Sequence, residues 1–120
     1  MPKVLVVDDA AFMRMRLVKL LKDHGYDVLE AANGKEAVDR YGAEKPAVVL
    51  MDITMPEMDG IAALKAIRAQ DPEARVIMCS ALGQQSMVVE ALEAGARDFV
   101  VKPYEPARIL EAVAQGVQQS

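Results

Sequence analysis

Two adjacent aspartates, Asp8 and Asp9, end the apolar run Val4-Leu5-Val6-Val7. A third, Asp52, ends Val48-Val49-Leu50-Met51, and Lys102 ends Phe99-Val100-Val101 just before Pro103. Ser80 closes a fourth run of the same kind. If these runs are strands of one parallel sheet, their C-terminal ends share an edge, and ligands gather on that edge where the strand order reverses. Three carboxylates, a hydroxyl and an ammonium would then meet. Carboxylates that close resist ionising together unless a cation neutralises them. An all-oxygen ligand set suits a hard ion, Mg²⁺ above all. A lysine set directly after three apolar residues is costly to leave unpaired, so Lys102 is expected to have an anionic partner. The Ser80 hydroxyl can donate to the same anion.

Each signal also has a plainer reading. Asp8-Asp9 could cap the helix that follows, Asp52 could be an ordinary loop residue, and Lys102-Pro103 an ordinary turn. Their joint placement at four strand ends is what favours a shared site.

The elements that must position these residues follow from periodicity. Short β-rich runs alternate with helical patterns, which argues for βα units around a parallel sheet. Strands are expected at about Lys3–Val7, Asp27–Ala31, Ala47–Met51, Arg75–Cys79 and Asp98–Val101. Helices are expected from near Ala11 to His24, from after Asn33-Gly34 to before Lys45-Pro46, and from after Gly60 to before Asp71-Pro72. Two more follow at about Gln84–Ala94 and from after Pro106 to about Gln118. Met13, Leu17, Leu20 and Leu21 share one face of the first helix, and Gly25 closes it. The third strand is apolar throughout, as a strand covered on both faces should be.

The bulk numbers fit one domain spanning 1–120: 120 residues, 52% of them hydrophobic. The apolar runs are far shorter than a membrane span, and the N-terminus lacks the long apolar stretch of a secretion signal. Cys79 is the single cysteine, so no internal disulfide forms; a buried, inert thiol and a cytoplasmic setting are expected. The net charge of −4 argues against a nucleic-acid surface. Arg14, Arg16, Lys19 and Lys22 read as the solvated side of the first helix.

Across the whole chain the motifs resemble the receiver domains of two-component response regulators, and among them the single-domain chemotaxis members. The resemblance rests on Val7-Asp8-Asp9, Met13-Arg14, Met51-Asp52, Met55-Pro56, Met58-Asp59-Gly60, Ser80-Ala81, Ala94-Gly95-Ala96 and Val101-Lys102-Pro103. It implies an α/β, flavodoxin-like fold: five parallel strands in the order 2-1-3-4-5 with five helices on both faces. It also implies roles. Asp52 matches the phosphoacceptor. Asp9 matches the direct Mg²⁺ ligand, Asp8 one acting through water, and Thr54 the residue whose backbone carbonyl completes the protein ligands. Ser80 and Lys102 match the groups that hold the phosphoryl oxygens, and Phe99 the switch aromatic. The Lys102-Pro103 bond is expected to be cis.

The same resemblance implies a histidine kinase as phosphodonor, a flagellar motor switch protein as target and a phosphatase as a further partner. Neither nucleic acid nor membrane is expected, and the chain should be a monomer. It implies a switch that catalyses its own phosphorylation and slow dephosphorylation rather than an enzyme acting on another substrate. Phe99 lacks the hydroxyl of the tyrosine that many chemotaxis members carry, so packing alone must bias the switch. Thr54 and Leu82 offer neither amide nor carboxylate to orient a hydrolytic water. In the fourth helix, Val89 and Leu92 are expected to face the core, with Met87 nearly opposite and Val88 on the flank. Met87, Val88 and Tyr104 are thereby expected to form the partner face. His24 reads as a helix-end residue.

Three other functions compete. An aspartate-nucleophile phosphatase would need a second acid two positions after its first, where Ala10 stands. A flavin binder of the same fold would need a Ser/Thr/Gly-rich loop after strand one, where Ala10-Ala11-Phe12 stands. A receiver belonging to a longer regulator or to a phosphorelay is the third.

Overall fold

A computed structural model describes residues 2–55 and 58–118. Pro56, part of one motif above, lies outside them. Five strands alternate with five helices: β1 Lys3–Val7, α1 Ala11–Asp23, β2 Asp27–Ala31, α2 Gly34–Glu44, β3 Val48–Asp52, α3 Gly60–Gln70, β4 Val76–Ser80, α4 Gln85–Glu93, β5 Asp98–Val101 and α5 Pro106–Gln118. All strand pairs are parallel, in the order β2-β1-β3-β4-β5, as the resemblance implied. Among the described residues no helix is long and apolar enough to cross a membrane.

Strand alternation splits the core into two layers. Leu5, Val49, Met51 and Met78 point to the side covered by α2, α3 and α4. Val4, Val6, Leu50 and Ile77 point to the side covered by α1 and α5, where Leu17, Leu21, Ile109 and Val113 meet them. Every residue of β3 and β4 is buried. That explains their lack of a polar face, and the ladder between them fixes the positions of their C-terminal ends. Both strands run one residue further than the sequence pattern indicates, so Asp52 and Ser80 are strand residues fixed by the ladder, with Asp52 opposite Cys79.

Local signals place the helix starts. The Asn33 side chain accepts from the Glu36 N–H at 2.9 Å while the Glu36 carboxylate accepts from the Ala32 N–H, a reciprocal cap. Asp59 caps α3 by accepting from the Ala62 N–H. Pro106 is the first residue of α5, where its missing N–H costs nothing. Gly25 holds φ at 90°, a left-handed turn that ends α1. The His24 ring contacts the Leu20 carbonyl through Nδ1 at 2.9 Å, so it closes the helix end and stands apart from the strand-end carboxylates.

Helix α4 corrects one expectation. Val88 and Ala91 are its buried residues and Met87 packs against the same core, whereas Val89 and Leu92 are exposed. Met87, Ala91 and Ala94 form one stripe at helical spacing, with Val88 beside it; Val89 and Leu92 form a second. Both stripes are apolar, so periodicity could not choose between them. Small Ala91 and Ala94 let the helix approach closely, which puts the bulkier pair outside. Met87 and Val88 are therefore core residues of α4 and not an exposed partner face.

Tyr104, the third residue assigned to that face, packs against the α1–α5 layer with its hydroxyl buried beside the Cys79 thiol. Among the described residues that hydroxyl has no oxygen or nitrogen partner and faces only the weakly bonding Cys79 thiol. Tyr104→Phe keeps the ring and removes this weakly partnered polar group. Its stability in urea should match the parent or exceed it by about 1 kcal/mol.

Candidate functional site

The strand ends bring the expected residues together. Asp8 lies one residue past β1, with 1% of its surface exposed; Asp52 ends β3 with 6%, and Ser80 ends β4 with 1%. Lys102 follows β5 and reaches across, its Nζ 3.2 Å from Asp52 Oδ1 and 3.8 Å from Asp8 Oδ2. This is the anionic partner its position demanded. The Lys102-Pro103 peptide is cis.

Asp8, Asp9 and Asp52 each present a carboxylate oxygen, and these oxygens all lie within 4.8 Å of one another. Burial pushes the Asp52 carboxyl up from its ordinary value; Lys102 pulls it back, and the charges of Asp8 and Asp9 push it up again. Asp8 Oδ1 accepts from the Ala10 N–H at 2.9 Å, but Asp8 Oδ2 is buried without a hydrogen-bond donor among the described residues. A buried carboxylate oxygen without a donor, beside two further carboxylates and one ammonium, fits a hard divalent cation held by oxygen ligands. The helix-cap reading of the aspartate pair does not hold, because the residue at the N-cap of α1 is Ala10.

Such a cluster costs stability in the absence of a cation. Asp52→Asn removes one of three converging charges and should raise the melting temperature at neutral pH by a few degrees, the shift produced by about 1 kcal/mol in a domain of this size. The sign with pH follows from the raised carboxyl. Its ionisation penalises the folded state above its folded pKa, so the advantage of the asparagine shrinks as pH falls toward the ordinary value of 3.8. Thermal scans across pH, without divalent ions, test this.

Thr54 is exposed beyond β3, and its hydroxyl accepts from Gln84 Nε2 at 2.9 Å. Phe99 stands on the surface of β5 at 36% exposure. An apolar cleft of about 270 Å³ lies between the end of β4 and α4, lined by Ser80, Leu82, Val88, Phe99 and Val101 among others. Ser80 and Phe99 thus share one cavity, with room for either side chain to shift. The Cys79 thiol is buried and pushed up to about 12 by its burial, which keeps it inert.

Two residues of this edge were not identified from the sequence. Arg14 was expected to be solvated. Instead its Nη1 donates to the Asp8 carbonyl at 2.6 Å and its Nε to Glu30 Oε1 at 3.0 Å, which braces the loop carrying the aspartates. Its place in the Met13-Arg14 motif was the available signal. Gln84, at the start of α4, reaches back to Thr54; nothing in the sequence pointed to that contact. Lys102 Nζ also stands 6.0 Å from the centre of the Tyr104 ring, an added cation–π contact.

Comparison with known proteins agrees with this geometry. Residues 4–114 match the response regulator receiver domain family. The chain is 58% identical over 112 residues to the chemotaxis protein CheY of Thermotoga maritima, covering 92% of this chain and 93% of that protein. It is 54% identical over 119 residues to the chemotaxis protein CheY of Listeria monocytogenes, covering 98% and 100%. The receiver domain of NtrX from Brucella abortus superposes with a TM-score of 0.93 at 31% identity, covering 98% of this chain and 99% of that one. CheY in the CheX-CheY-BeF3-Mg²⁺ complex of Borrelia burgdorferi superposes with a TM-score of 0.91 at 40% identity, covering 98% and 90%. The chain therefore belongs to the response regulator receiver domain family.

Proposed function

We propose that the chain is a phosphorylation-operated binding switch of chemotaxis, acting in the cytoplasm as a monomer made of one receiver domain. The observation that carries the reading is the ion pair between buried Asp52 and half-buried Lys102 at the edge where Asp8 and Asp9 converge. Near-full-length similarity to chemotaxis CheY proteins supports the stand-alone form over a receiver belonging to a longer regulator. The phosphatase reading is disfavoured by Ala10 at the place of the second acid.

In the proposed reaction an Asp52 carboxylate oxygen attacks the phosphorus of a phosphohistidine on a kinase. The O–P bond forms as the P–N bond breaks, and the electron pair leaves with the imidazole. Lys102 already stands against the attacking carboxylate and would pair with a transferred oxygen. Ser80 would donate a hydrogen bond to another. Asp9, Asp52 and the Thr54 backbone carbonyl would hold Mg²⁺, with Asp8 acting through water. When bound, the ion offsets the charge on the transferring phosphoryl oxygens. Movement of Ser80 toward the phosphoryl group would empty space in the shared cleft for Phe99, changing the surface of α4, β5 and α5. That surface would meet a flagellar motor switch protein, and a phosphatase would reset it.

Leu82 is 80% exposed, and Thr54 carries a hydroxyl already engaged by Gln84. Neither orients an attacking water, so the acyl phosphate should be long-lived. A variant with Thr54→Asn and Leu82→Glu should lose its phosphoryl group roughly a hundredfold faster, the low end of the range for a positioned general base; equal decay rates would contradict this. Radiolabel transfer from a phosphorylated chemotaxis histidine kinase tests the function itself. Label should move to the wild-type chain and increase its binding to the motor switch protein. Labelling without any change in binding would contradict the switch.

A further inference from the structure

The β4–α4 loop contains a backbone donor whose ladder partner has been taken. In this parallel ladder the Cys79 carbonyl accepts from the Ile53 N–H on the β3 side, and the Ser80 carbonyl accepts from the Lys102 N–H on the β5 side. The alternation turns the next donor, the Ala81 N–H, back toward β3. Its ladder acceptor there would be the Ile53 carbonyl, but that oxygen accepts from the Gly60 N–H at 2.7 Å. The Ala81 N–H is therefore a donor facing the end of β3, next to Asp52, with no backbone partner among the described residues.

Gln84 occupies it. Its Oε1 accepts from the Ala81 N–H at 2.7 Å while its Nε2 donates to Thr54 Oγ1 at 2.9 Å. One carboxamide thus ties the loop after β4 to the loop after β3. The Gln84 backbone is the N-cap of α4, and its carbonyl accepts from the Val88 N–H at 3.0 Å. Gly83, at φ 89°, provides the turn that folds the side chain back, and nothing packs over it.

We infer that Gln84 is a positioning residue: its carboxamide latches the two loops in the unphosphorylated state and releases the Ala81 N–H to the new phosphoryl oxygens. The inference rests on Asp52 being the phosphoacceptor. A phosphoryl group there brings strong acceptors to the end of β3, and these outcompete a neutral carboxamide for the same donor because hydrogen bonds to charged acceptors are stronger. Freed from Ala81, the Gln84 side chain no longer holds the first turn of α4 against Thr54. The chemical event at Asp52 thereby reaches the helix that borders the Phe99 cleft. The latch opposes activation, since its bond must break before the phosphoryl group can be fully coordinated.

The sign of the mutational effect separates a latch from a merely structural contact. Beryllofluoride with Mg²⁺ serves as the phosphoryl mimic, titrated into wild type and Gln84→Met and followed through the Ala81 amide resonance. Gln84→Met should bind the mimic roughly two- to tenfold more tightly, the range for one net hydrogen bond that need not be broken. Thr54→Val should tighten binding less, and the double variant no more than Gln84→Met alone. Unchanged or weaker binding by Gln84→Met, with wild type saturating normally, would overturn the latch and leave the phosphoacceptor reading standing. Failure of the wild type to bind the mimic would overturn that reading and the latch with it.

Discussion

Asp52→Asn will accept no phosphoryl group from acetyl phosphate or from a phosphorylated kinase, a loss on the order of a thousandfold or more. The amide is nearly isosteric with the carboxylate, and its neighbours stay in place: Lys102 is held by Asp8 as well as by Asp52, and β3 is fixed on both sides by parallel ladders. What disappears is the proposed nucleophile, because an amide oxygen has neither the charge nor the basicity to attack phosphorus. Asp8 and Asp9 cannot take over. Asp8 Oδ1 is committed to the Ala10 N–H, and Asp9 lies outside the contact range of Lys102. Phosphoryl transfer should fail while the fold gains stability, and that combination distinguishes loss of chemistry from loss of structure. Phosphorylation surviving at a substantial rate in this variant would move the acceptor to another residue.

Gly60→Ala will destabilise the domain by about 3 kcal/mol or more, at the upper end for overpacking against atoms that cannot yield. The reason is steric. A β-carbon at Gly60 would stand inside the van der Waals boundary of the Asp52 carbonyl oxygen and 2.8 Å from Ile53 Cα, both of them backbone. Gly60 also donates its N–H to the Ile53 carbonyl, so α3 starts against the backbone directly after Asp52. Gly34 makes a similar approach to the Met58 backbone on the other flank of the same loop. Relief of the clash requires α3 to move away from β3 or the Asp52 peptide to rotate. The variant should therefore lose phosphorylation rate beyond what its unfolded fraction explains. Urea melts with phosphorylation rates measured on the folded fraction separate the two effects; a melt unchanged from wild type would contradict the packing argument.

Most of the fold was legible because a short, fully apolar run that ends in a charge has few places to go but a buried strand. Val48 to Met51 cannot be a surface strand, and a charged residue placed directly after such a run can only sit at the edge of the sheet. The acidic cluster and Lys102 followed from that rule, and the strand order from the family resemblance. What stayed hidden depended on small residues or on loop geometry. The buried stripe of α4 was decided by Ala91 and Ala94, whose low hydrophobic weight understates how closely they let the helix pack. Arg14 looked like one more surface cation until the β1–α1 loop curled its carbonyl into reach. Gln84 became visible only once the Ile53 carbonyl was found to be taken by Gly60, which no linear pattern records.

The most direct test is the intact mass of the wild-type chain after incubation with acetyl phosphate, with and without Mg²⁺, followed by chemical trapping of the acyl phosphate to locate it. One phosphoryl adduct, dependent on Mg²⁺ and mapped to Asp52, is the predicted result. An adduct elsewhere, an adduct indifferent to the ion, or none from either acetyl phosphate or a phosphorylated histidine kinase would contradict the account.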